Sequence, residues 1–115
     1  MDIVHRLAKR LKSVPEAGGT MFDNTTIFYF PDGGETHHSH GLQYPFVVLS
    51  GKNTQLDIRG KYIRLPYYAK EGHKTLGNWW TTYLNAYGNS IEHFGDPDTG
   101  LGHMDQTGAI KQFLG

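Results

Sequence analysis

The chain has no cysteine. That excludes a disulfide framework, a thiolate nucleophile and any zinc site built on sulfur. It has no excess of charge either, with 11 lysines and arginines against 11 aspartates and glutamates. No net field is available to hold a nucleic acid or an anionic membrane surface, and neither partner is expected. No apolar run approaches the roughly 20 residues that span a bilayer. Met1 to Leu7 shows an amphipathic pattern rather than a charged start and a continuous apolar stretch. No signal peptide is expected there, and the chain taken by itself reads as cytoplasmic. Several catalytic motifs are also missing: the phosphate-cradling G-x-x-x-x-G-K-[ST] loop, a G-x-G-x-x-G turn after a strand, and a G-x-S-x-G nucleophile elbow. There is no internal repeat and no low-complexity run. The 115 residues suffice for one modest core, so residues 1–115 are expected to form a single domain or the C-terminal segment of a larger one.

What the chain does have is histidine, seven in all, three of them in one short stretch. Asp32-Gly33-Gly34-Glu35-Thr36-His37-His38-Ser39-His40-Gly41 directly follows the apolar run Thr25 to Phe30. A hydrophobic strand that ends in a glycine-rich loop of acids and imidazoles is suited to a divalent cation, because the strand fixes the backbone and the glycines let side chains converge. Nitrogen and oxygen donors suit zinc, manganese or iron, with zinc expected first. Asp32 is the best-placed carboxylate. His38 and His40 alternate and would share one side of an extended segment, with His37 on the other. Glu35 can coordinate, act as a base, or orient a ligand imidazole from behind. A metal with an open position would turn bound water into a nucleophile. The plainer alternative is an exposed histidine-rich turn that binds nothing.

The rest of the chain reads as follows. Ile3, Val4, Leu7, Ala8 and Leu11 fall at helical spacing between basic residues and predict an amphipathic helix with a solvated basic face. Ser13 to Gly19 reads as a breaker loop. Thr25 to Phe30 and Tyr44 to Gly51 read as strands of a sheet covered on both faces. Leu56 to Leu65 holds at most a hairpin or edge, with Lys61 to Pro66 an edge strand. Thr75 caps a predicted helix whose apolar positions Leu76, Trp79, Trp80, Tyr83, Leu84 and Tyr87 lie on one face, expected to be core. Gly88 stands where a left-handed C-terminal cap belongs. Asp96-Pro97-Asp98 reads as a turn, and His73, His93 and His103 as surface or hydrogen-bonding residues. Asn78 and Thr81 carry no assignable role, and Gly108 to Leu114 predicts a last helical turn. This order indicates an α/β layer structure with too few strands for a stable sheet, so a partial sheet and self-association through its open side are expected.

Several blocks together resemble a known family: Met21 to Phe28, Asp32 to His38, Pro45 to Gly51, Lys74 to Trp80 and Ile91 to Asp96. In this order they are similar to the C-terminal part of a bacterial family of unknown function, itself similar to the alkaline-phosphatase and sulfatase superfamily. Its members are often exported through twin-arginine signals. The resemblance runs over nearly the whole chain. It implies an α/β/α sandwich with a one- or two-metal site at the ends of the strands, and a phosphoric or sulfuric ester as the small anionic substrate of the complete protein. In the superfamily a late strand ends in an aspartate–histidine pair. Asp32 matches the aspartate, whereas Gly33 stands where the histidine belongs, leaving His37, His38 and His40 as substitutes. The superfamily nucleophile and its first metal-binding aspartate have no counterpart here. The resemblance therefore implies a C-terminal portion of a metal-dependent hydrolase that supplies ligands and is inactive alone. The alternative is a non-catalytic metal-binding or interaction module.

Overall fold

The computed structural model describes residues 1–32 and 44–115. Its architecture is mixed α/β, with two α-helices and two small antiparallel sheets. The chain divides into two compact units, Met1–Thr54 and Gln55–Gly115.

The first unit opens with helix α1, Asp2–Lys12. Its ends complement the helix dipole, with Asp2 in the first turn and Lys9, Arg10 and Lys12 in the last. The Arg6 guanidinium donates back to Asp2 Oδ2 over 2.9 Å. The helix stops at Ser13, whose N–H bonds the Lys9 and Arg10 carbonyls, and Pro15 follows. Val4 and Ala8 are buried, while Ile3 and Leu7 on the same apolar arc remain exposed. A minimal hairpin follows, β1 (Pro15–Glu16) with β2 (Gly19–Thr20), so the expected breaker loop is a turn closed by its own ladder. Gly18 adopts a left-handed φ of 86° at its tip, a conformation glycine takes without steric cost.

A 3-10 turn, Met21–Asn24, leads into strand β3 (Thr26–Tyr29), which pairs antiparallel with β4 (Val47–Ser50). The register runs from Thr26 opposite Ser50 to Tyr29 opposite Val47. Beyond β4 the Gly51 N–H bonds the Thr25 carbonyl and the Asn53 N–H bonds that of Asp23. Gly51 is buried so tightly against this turn that a Cβ would sit 2.1 Å from the Phe22 carbonyl oxygen. Only glycine fits there.

The second unit is built on α2, Leu76–Ala86. Thr75 and Asn78 form a reciprocal cap at its start, and at its end Gly88, with φ of 85°, lets the Asn89 N–H reach the Leu84 carbonyl. Against α2 lie irregular segments with two short 3-10 turns, Thr99–Leu101 and Lys111–Phe113. Leu56, Ile58, Trp79 and Ile110 are its buried apolar side chains, with Trp79 edge-on to Phe113 at 5.1 Å.

Three expectations are corrected. Among the described residues the two strands pair only with each other: β3 and β4 form a two-stranded antiparallel ribbon rather than part of a wider sheet, with Tyr29 and Val47 exposed. Apolar content in two neighbouring strands does not reveal the number of layers around them. Leu56 to Leu65 forms neither hairpin nor edge strand; Leu56 makes a single bridge to Leu114 instead. The α2 apolar stripe is not uniformly core either. Trp79 is buried, whereas Leu76 and Tyr87 are exposed, and the side turned inward carries Asn78, Thr81 and Thr82.

Candidate functional site

The pairing of β3 with β4 ends at Tyr29 and Val47, and an aromatic cluster sits just past them. Phe30 packs edge-on against Phe46 at 5.8 Å and Tyr44 edge-on against Phe46 at 5.5 Å, while Phe30 and Tyr44 lie tilted to each other at 6.1 Å. The Tyr44 hydroxyl donates to the Pro31 carbonyl, which fixes the two chain ends to each other. Such edge-on aromatic pairs are each worth about 0.5–1.5 kcal/mol beyond their buried area. Asp32 comes next and is exposed. The ligand-rich stretch of the sequence therefore leaves and re-enters a clamped base. Of the residues expected to ligate, Asp32 is described, and as a hard oxygen donor in water it fits a zinc, manganese or iron ion. Glu35, His37, His38 and His40 lie outside the described residues. Among the described residues, no three histidines, aspartates or glutamates converge on a point that would hold a metal.

The second unit carries a separate cleft of about 270 Å³, walled by Ala69 to Lys74 and by His103 to Asp105. Tyr68 stands edge-on to the rings of both His73 and His103, with centroids 5.7 and 6.0 Å away. His73 Nδ1 lies 3.1 Å from the Pro66 carbonyl oxygen. Since a carbonyl only accepts, Nδ1 donates in this contact, and in the neutral tautomer Nε2 is then the acceptor. Lys74 donates to Asp105 Oδ2 over 3.3 Å, and its side chain is only 23% exposed. The Asp105 carboxylate is oriented by the Thr107 hydroxyl and N–H, which hold its pKa below the ordinary value, assisted by Lys74. His93 makes the same kind of contact as His73, Nδ1 to the Gly95 carbonyl at 2.9 Å. Asp98 accepts from the Gly100 N–H, which makes Asp96 to Asp98 part of a turn.

Sequence reasoning overlooked this cleft because its members are separated by some thirty positions and match no metal or catalytic spacing. The one available signal was the pair of histidines flanked by lysine and aspartate, His73-Lys74 and His103-Met104-Asp105. No family model, no curated protein and no solved structure matches the chain.

Proposed function

We propose that the chain contributes a divalent-metal loop to a hydrolase of the alkaline-phosphatase and sulfatase kind, with Asp32, His37, His38 and His40 as ligands and Glu35 behind them. The observation that carries the reading is the clamped base. The two ends that flank the Asp/His-rich segment are held together by a four-residue ladder and three packed rings, so metal binding need not supply the entropy of bringing those ends together. A two-stranded ribbon is marginal alone, which fits a larger α/β/α sandwich completed by further strands. In that setting the metal would polarise a phosphate or sulfate ester, and the attacking group would come from elsewhere in the complete site.

Metal analysis of the purified chain after exposure to zinc and gel filtration is the direct test. The expected result is bound zinc at near one equivalent, lost when His37, His38 and His40 are all replaced by alanine. Equal metal content in both proteins would refute the ligand set. The zinc-loaded chain alone should not turn over nitrophenyl phosphate or nitrophenyl sulfate, and turnover would refute the division of the site.

A second reading, a non-catalytic module that binds metal and pairs with another chain, is favoured by the exposed Tyr29, Phe30 and Val47 on a ribbon with two outer edges. Light scattering with and without zinc separates the two. Zinc-dependent dimers would favour the module.

A further inference from the structure

The cleft between Ala69–Lys74 and His103–Asp105 has a mixed set of donors and acceptors that suits one kind of anion. Lys74 and Lys70 offer ammonium donors, and Lys74 spends only one long contact on Asp105. A charge-assisted bond of this type is usually 2.7–2.9 Å, so at 3.3 Å the ammonium is not saturated by its partner. On the acceptor side are His73 Nε2, in the neutral tautomer whose Nδ1 donates to Pro66, and the carboxylates of Asp105 and Glu71. An anion that carries only lone pairs would meet repulsion from these acceptors. An anion that carries both charged oxygens and its own hydroxyl would satisfy donors and acceptors together.

The cleft also has a built shape. Tyr68 packs edge-on against both imidazoles and so holds His73 and His103 in place. Ala69 in its wall has φ of 56°, the one non-glycine residue with a left-handed backbone among the described residues. Such a conformation persists where the surroundings enforce it, often beside a bound ligand.

We propose that this cleft binds a protonated oxyanion, with hydrogen phosphate as its simplest form: Lys74 and Lys70 hold its charged oxygens, and its P–OH donates to His73 Nε2. At neutral pH sulfate has the same size and shape but no hydroxyl, and the acceptors discriminate against it by leaving a lone pair facing a lone pair. The site is independent of the metal loop of the first unit.

Isothermal titration calorimetry at pH 7, in a phosphate-free buffer containing a chelator, tests this with inorganic phosphate and sulfate. The chelator removes any phosphate held through a metal at the Asp32 loop. The expected result is saturable phosphate binding at millimolar or lower concentration and sulfate binding at least tenfold weaker. His73→Phe, which keeps the ring against Tyr68 but removes Nε2, should narrow the phosphate-to-sulfate ratio towards one. Lys70→Met, on the exposed rim, should weaken both anions together. Equal affinity for the two anions in the wild-type chain would overturn the proposal, as would no binding at 50 mM phosphate. An unchanged ratio in a His73→Phe protein of wild-type melting temperature would do the same.

Discussion

Asn78 is fully buried in the first turn of α2, and its side chain uses its whole bonding capacity. Its Oδ1 accepts from the Thr75 N–H at 2.8 Å and the Thr75 hydroxyl at 2.9 Å. Its Nδ2 donates to the Thr107 and Gly108 carbonyls at 2.8 and 2.9 Å. One residue thus ties the start of α2 to a loop thirty positions away. Thr82 and Thr81 repeat the device: the Thr82 hydroxyl accepts from the Ile110 N–H at 2.7 Å, and that of Thr81 from the Phe94 N–H at 3.0 Å. Asn78→Ala removes the partner of the Thr107 and Gly108 carbonyls and of the Thr75 cap, and should cost about 3 kcal/mol in urea unfolding. Asn78→Asp keeps the oxygen that Thr75 needs but sets a carboxylate against two carbonyls. It should cost more than alanine at pH 7 and recover part of the loss when the carboxyl protonates in acid. A loss under about 0.5 kcal/mol for Asn78→Ala would remove these bonds as a principal support of the second unit.

At the scale of the element, helices were the legible part of the chain. The spacing of Ile3, Val4, Leu7, Ala8 and Leu11 located α1, and Thr75 with Gly88 bracketed α2, because caps are local chemistry that a sequence states directly. The face on which α2 docks was not legible. Apolar periodicity marks the stripe Leu76, Trp80, Tyr83 and Tyr87, yet the neighbours of α2 are irregular loops with backbone groups to satisfy, so Asn78, Thr81 and Thr82 turn towards them. The Asp32 to His40 cluster is legible as a set of ligand residue types, of which Asp32 alone falls among the described residues, whereas the cleft lined by Ala69–Lys74 and His103–Asp105 depends on tertiary proximity that no spacing encodes. The reciprocal cap gives α2 a specific vulnerability. Thr75→Ala should cost about 1 kcal/mol, visible as a lower urea midpoint with an unchanged slope. Thr75→Ser keeps the hydroxyl and should recover most of it. Equal midpoints for the alanine and serine variants would show that the Thr75 side chain does not support the helix.

For the whole molecule, acid stability is shared between the two units. Asp23 accepts from the Thr20 N–H and hydroxyl, with Lys52 nearby, and the Thr20 backbone bond is the main cause holding its pKa below the ordinary 3.8. Asp105 is lowered chiefly by the Thr107 hydroxyl, then by the Thr107 N–H and Lys74. Each carboxyl is more acidic folded than unfolded, so its contribution is complete above about pH 3.8 and is lost as pH falls through the lower folded value. The partners of the two, Thr20 and Lys52 for one and Thr107 and Lys74 for the other, do not overlap. Without shared partners their effects should add. Asp23→Asn and Asp105→Asn should each flatten the fall in urea midpoint between pH 5 and pH 2.5, and the double variant should flatten it by the sum. Asp105 is exposed and Asp23 half-buried with its Lys52 partner exposed, so raising the salt concentration should shrink the part contributed by Lys52 and Lys74 and leave the part from the threonine hydrogen bonds. If the double variant kept the wild-type acid slope, acid unfolding would have to be assigned to other carboxyls. If its effect exceeded the sum, the two units would be energetically coupled.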